Sequence, residues 1–189
     1  DKVKQAIEGN PVKRPYVEVG DCWTYRKTSV SMKDESVSDY TLCVTYVDYS
    51  KDVIFASSSG GDGTNHTYTT EWNPKVGRQS IKAETHFLKF PLHVGDMYSF
   101  EEVNQPLNNP EKIQKREWNM KVVGWDDVTV PAGTFRAVRI EGIGKTMGAA
   151  GRRRSGKLRQ MTIWYVPEVN RDVKTISARD SGTDVHELT

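Results

Sequence analysis

Hydrophobic and polar residues alternate with period two along most of this chain. Between Gln114 and Val122, Trp118, Met120 and Val122 fall on one face, and Lys115, Glu117, Asn119 and Lys121 on the other. That is the pattern of an antiparallel strand with one solvated face. Tyr68 and Trp72 alternate with Thr67, Thr69 and Glu71, and Tyr98 and Phe100 alternate with Ser99 and Glu101. From Leu158 to Val166 both faces carry large apolar groups, which predicts a strand inside a sheet rather than at its edge. Roughly ten to twelve such stretches, separated by turn residues, predict an antiparallel all-β protein. Only the opening DKVKQAIEGN suggests helix, as one short turn around Val3 and Ile7.

The pattern also matches itself. VGDCWTYR at 19–26 matches VGDMYSFE at 94–101, an offset of 75 residues. TTEWNPKVGR at 69–78 matches MTIWYVPEVNR at 161–171, setting Trp72 over Tyr165, Pro74 over Pro167, Gly77 over Asn170 and Arg78 over Arg171. Gly and Asn both tolerate a left-handed backbone, so the second match predicts a turn between two strands. The expected organisation is a single β domain over 1–189 with two similar halves, near 17–85 and 92–180, forming one curled sheet, a barrel or half-barrel, or a sandwich.

Cys22 and Cys43 both sit on the polar side of their predicted strands. If those strands pair as a hairpin, the sulfurs meet on an outer face and close a loop of about 20 residues, worth about 3 kcal/mol in the chain-entropy model. Two unrelated free thiols are the alternative. A disulfide points to a periplasm or cell exterior.

Length and charge narrow the classes. The chain has 189 residues, 27 Lys plus Arg and 25 Asp plus Glu. No apolar run reaches the roughly 18–20 residues of a membrane-spanning helix, so no transmembrane segment is expected. The positive charge is concentrated at Lys145–Arg159, KTMGAAGRRRSGKLR, leaving the rest mildly acidic. A broad nucleic-acid-binding face is therefore not expected. Gly151 to Lys157 fits a phosphate-binding loop as far as its lysine, but Leu158 stands where Ser or Thr must follow, and a strand rather than a helix comes next. The segment reads instead as a Gly-rich hairpin tip, and Arg152, Arg153, Arg154 and Lys157 are its candidate contacts to a polyanion.

VPAGTFRAVRIEG at 130–142, followed by IWYVPEVNRDVKTIS at 163–177, resembles the TapB-like group of exported bacterial proteins of unknown function. Asn170 stands where that group more often has Gly. The resemblance covers mainly the last third of the chain. It implies an all-β exported or periplasmic protein of the bacterial envelope and brings no catalytic residues to carry over.

Candidate chemistry is sparse. His66, His86, His93 and His186 lack metal-ligand spacing, no nucleophile elbow is present, and the pattern implies no metal or cofactor. Asp126 and Asp127 are adjacent, so on a strand they face opposite sides. The aromatic strand faces are the remaining signal. Trp72, Trp118, Trp164 and Tyr165 are the candidate lining of a concavity for a lipid or other apolar or amphiphilic envelope ligand. A protein- or glycan-binding module acting through the 145–159 hairpin is the second reading, and an enzyme whose site converges from distant residues is the third.

Overall fold

The computed structural model describes residues 9–60, 64–76, 80–106, 111, 113–147 and 153–189. Its strands are β1 (Cys22–Ser31), β2 (Glu35–Asp48), β3 (Val53–Ser59), β4 (Asn65–Tyr68), β5 (Pro74–Val76), β6 (Ser80–Glu84), β7 (Met97–Pro106), β8 (Gln114–Val130), β9 (Gly133–Met147), β10 (Arg153–Val166), β11 (Arg171–Arg179) and β12 (Gly182–Leu188). A 3-10 turn, Pro167–Val169, links β10 to β11. The expected helical turn around Val3 and Ile7 lies outside the described residues.

All strands belong to one antiparallel sheet, in the order β5-β4-β3-β2-β1-β12-β11-β10-β9-β8-β7-β6. Hydrogen-bonded neighbours are also neighbours in sequence, apart from β1 and β12, which join the two ends of the chain in the middle of the sheet. The result is one curled, uncrossed sheet. β10 is an interior strand, as its two apolar faces predict.

The two Val-Gly-Asp segments make the same turn. Gly20 and Gly95 have φ of 99° and 98°. Gly20 N–H donates to the Val44 carbonyl and Val44 N–H to that of Asp21, while Gly95 N–H donates to Val122 and Val122 N–H to Asp96. Just beyond these contacts, β2 and β8 each carry a bulge, after Val44 and after Val122. The second sequence match runs differently in the structure. Register sets Tyr68 opposite Ile54 and Tyr165 opposite Val138, so Tyr68, not Trp72, stands where Tyr165 stands. The left-handed turn residues are Trp72 (φ 64°) and Asn170 (φ 57°), while Gly77 and Arg78 lie outside the described residues.

Cys22 and Cys43 face each other in the β1–β2 ladder and are joined by a disulfide. Replacing both with Ser is expected to lower the unfolding free energy by about 3 kcal/mol, because the unfolded chain regains the entropy of a closed loop. Urea unfolding of the variant and of reduced wild-type protein should agree; a loss below about 1 kcal/mol in both would show that the link adds little constraint.

The main core joins Leu42, Val44, Ile54, Trp118, Met120, Val122, Ile140, Ile163 and Tyr165 from strands on both sides of the sheet's centre. Two non-strand segments fill it. Val12 bridges Leu92, and the Asn73 side chain holds Leu88 with two hydrogen bonds, of 2.7 and 2.9 Å. Phe87 then meets Trp118 edge-on at 5.1 Å, and Phe90 meets Tyr165 at 5.0 Å. A smaller core gathers Tyr25, Val128, Val130, Ala137, Val166, Val173 and Leu188 where the β8–β9 turn folds against β12.

Candidate functional site

Residues directly opposed across an antiparallel pair lie on the same face, so the register defines rows across the sheet. One row runs Ser38, Lys27, His186, Thr175, Ile163, Ile140, Val122. The next runs Ser36, Ser29, Asp184, Ser177, Met161, Gly142, Met120, Tyr98. The third runs Ser31, Gly182, Arg179, Arg159, Gly144, Trp118, Phe100. Each row begins polar on the β1–β12–β11 side and runs into the buried core on β9 and β8, two of them reaching the half-buried Tyr98 and Phe100 of β7. The inner face is thus amphipathic, with a half-buried polar band beside a packed aromatic wall.

Within the band, Arg179 pairs with Asp184 at 3.2 Å. Burial pushes the Asp184 carboxyl up, but a hydrogen bond from Ser29 and the charges of Lys27 and Arg179 outweigh it and hold it below the ordinary carboxylate value. Next to the band, Glu102 accepts hydrogen bonds from Arg116 Nη1 (2.6 Å) and Trp118 Nε1 (2.7 Å). Gly142 and Gly144 make room for this arrangement. A Cβ on Gly144 would stand 2.8 Å from the Trp118 ring and 2.7 Å from Arg116 Cδ, so the indole and the arginine stem lie across the bare backbone of β9.

His186 is hydrogen-bonded to the Tyr40 hydroxyl at 2.8 Å. Burial, followed by the nearby positive charge of Lys27, lowers its pKa below the ordinary histidine value of 6.5. The unfolded chain therefore binds this proton more readily than the folded one, so the stability contribution is complete above pH 6.5 and is lost as pH falls through the folded-state value. The melting temperature of His186→Gln should fall less than that of wild type between pH 7.5 and 5; equal falls would show that His186 is not the titrating group.

At the other end of the face, Arg171 enters an aromatic cage. Its guanidinium carbon lies 3.8 Å from the Trp72 ring centroid, 5.4 Å from Tyr68, 5.7 Å from Trp23 and 6.0 Å from Tyr25. Arg171 Nε donates to the Tyr25 hydroxyl at 3.2 Å and lies 3.8 Å from Asp172. The same hydroxyl donates to the Asp172 carbonyl at 2.7 Å. The backbone around Arg171 is pinned by two indoles, with Trp23 Nε1 donating to the Val169 carbonyl and Trp72 Nε1 to that of Asn170. Burial opposes the arginine's charge, but the Tyr25 hydroxyl, Asp172 and Tyr68 outweigh it and hold its pKa above the ordinary value. These interactions also support Trp72 in its left-handed backbone, a conformation that costs a non-glycine residue about 1–3 kcal/mol.

Of the aromatic residues expected to line a concavity, Trp72, Trp118 and Tyr165 enter the main core, each no more than 5% exposed. Trp72 lies in a turn and not on a strand. Trp164 does not join them. It alternates with Tyr165, packs with the smaller core, donates to Asp126 at 3.3 Å and carries Lys174 over its ring. β10 begins at Arg153, so strand reaches into the basic segment read as a hairpin tip. Arg152 and the side chains of Arg153, Arg154 and Lys157 lie outside the described residues. Sequence reading did not single out Lys27 and Asp184, and weighed His186 only as a metal ligand, because a polar inner face gives strands with no apolar alternation to detect.

Among the described residues, no cluster of three or more His, Cys, Asp or Glu side chains is arranged to hold a metal ion, and no helix is long and apolar enough to cross a membrane. No family model matches the chain, so the TapB-like resemblance has no further support. No curated protein matches it significantly in sequence. Solved structures do match in fold. A candidate lipoprotein from Parabacteroides distasonis aligns with a TM-score of 0.54 at 13% identity, over 95% of this chain and 98% of its own. A candidate exported protein with a YmcC-like fold from Bacteroides fragilis aligns at 0.52 and 11% identity, over 95% and 98% of the two chains. The hypothetical lipoprotein YmcC from Escherichia coli aligns at 0.54 and 7% identity, over 100% and 95%. The curled antiparallel sheet of this chain is thus similar to the YmcC-like fold.

Proposed function

We propose that the protein is an exported, non-catalytic binding protein that holds an amphiphilic envelope molecule on the inner face of its sheet. One observation carries this reading: the register rows place half-buried polar residues of β1, β11 and β12 on the same face as Ile140 of β9, Trp118 and Met120 of β8, and Tyr98 and Phe100 of β7. Such a face offers an apolar chain and a polar headgroup their preferred surroundings a few strands apart. The disulfide favours an oxidising compartment outside the cytoplasm, and the printed descriptions of the fold neighbours as exported or lipoproteins favour the same location. The chain is read as one β domain of two similar halves, supported by the matching turns at Gly20 and Gly95 and the matching bulges after Val44 and Val122.

Native mass spectrometry of protein purified gently from its oxidising compartment, followed by organic extraction, tests the reading. The expected result is a stoichiometric amphiphile released by solvent. A clean apo mass, together with no uptake of added twelve-carbon amphiphiles of any charge, would overturn it.

A further inference from the structure

We infer that Arg159 forms the centre of an oxyanion site on the inner face, which takes the phosphate group of the bound molecule; this rests on the reading above and specifies its headgroup. Arg159 stands between Gly144 and Arg179 in its row, two strands from Trp118. It is half-buried, and among the described residues it has no hydrogen bond or ion pair. Arg179 lies opposite it in the ladder, and the charges of Arg116, Glu102, Arg179 and Asp184 all reach it. Both carboxylates are already committed, Glu102 to Arg116 and Trp118, and Asp184 to Arg179. Lys27 approaches Asp184 from β1 and adds a further cation. Among the described residues the band therefore carries four cations, Lys27, Arg116, Arg159 and Arg179, against two carboxylates. Burial, and then the charge of Arg116, disfavour the charged form of Arg159, and the charges of Glu102 and Asp184 offset only part of that cost.

An arriving phosphate would reverse that balance. The arginine fork presents parallel N–H donors that match two phosphate oxygens, and charge-assisted bonds of this kind are about twice as strong as neutral ones. The two-charge surplus favours a phosphate over a monovalent carboxylate. Next to Arg159 on this face, Trp118 and Met120 lie across the backbone of Gly144 and Gly142, with Met161 opposite Gly142, so a chain attached to the phosphate would run onto apolar side chains.

Tryptophan fluorescence titrations with dodecyl phosphate, dodecyl maltoside, dodecyltrimethylammonium and inorganic phosphate test this on the full chain, with wild type, Arg159→Gln and Arg159→Lys. Dodecyl phosphate should bind wild type at least 10-fold more tightly than the maltoside or the ammonium amphiphile. Arg159→Gln should erase that preference, and Arg159→Lys should fall between. An unchanged midpoint of urea unfolding shows that the variant is folded. Inorganic phosphate that binds as tightly as dodecyl phosphate, and through Arg159, would support the oxyanion site while removing the amphiphile reading. Equal affinity for all three amphiphiles, or a preference for phosphate that survives Arg159→Gln, would overturn the inference and leave the amphiphile reading standing.

Discussion

Arg171→Ala is expected to destabilise the protein by about 3–5 kcal/mol, the range for removing one member of a buried charged cluster. Arg171 is 8% exposed and touches four aromatic side chains drawn from β1, β4 and the turn before β5. Truncation leaves a void under Trp72, removes a hydrogen-bond partner of Tyr25 and deprives the left-handed Trp72 backbone of its stacking partner. Two further variants separate packing from charge. Arg171→Met keeps most of the stem volume without the charge, and buried ion pairs replaced by apolar side chains of similar size are often neutral. Arg171→Lys keeps the charge but loses the flat stack on Trp72 and the Nε donor. If packing dominates, Met should retain more stability than Lys in urea unfolding, and if charge dominates the order reverses. A loss below about 1 kcal/mol for Ala would show that the cage closes without its arginine.

The second large effect is expected at Gly144. An added methyl there meets the Trp118 ring and the Arg116 stem, both tied to Glu102, so neither can retreat without breaking that arrangement. Forcing extra volume into a packed core costs about 1–3 kcal/mol, which outweighs the gain of about 0.5–1 kcal/mol from removing a strand glycine. Gly142 is the internal control. There the methyl meets chiefly the Sδ and Cε of Met120, the end of a side chain with several rotatable bonds. Gly144→Ala should therefore unfold at lower urea than Gly142→Ala, with Trp118 emission shifted only in the former. Equal midpoints would show that Trp118 can move as readily as Met120.

Much of the strand pattern was legible because one face of β2, β8 and β9 is apolar and the other solvated. Alternation at Trp118, Met120 and Val122 marks such a strand directly, and turn chemistry at Val-Gly-Asp marks where it is entered. The cysteines were legible for a related reason. Two cysteines on polar faces of neighbouring strands are readily placed opposite each other once the connection is short enough for a hairpin.

The register of the second match was not legible. TTEWNPKVGR and MTIWYVPEVNR align with Trp72 over Tyr165 and Pro74 over Pro167, yet the ladder places Trp72 in the turn, because cation stacking on Arg171 and a hydrogen bond to Asn170 hold it there. Both partners lie almost a hundred residues away, beyond any local pattern. Which core Trp164 joins was not legible either, since a strand apolar on both faces does not say which face turns toward which core.

What the sequence by itself determined is the set of strands, the entry turns and the opposed cysteines, all of which rest on periodicity two and on backbone preferences acting over a few residues. What only the tertiary structure decided is that β12 closes onto β1, and with it that Lys27, Asp184 and His186 meet Arg159 and Trp118 on one face. That shared face depends on register across six strands, from β1 through β12, β11, β10 and β9 to β8, and each local pattern is indifferent to which distant strand completes its hydrogen bonds.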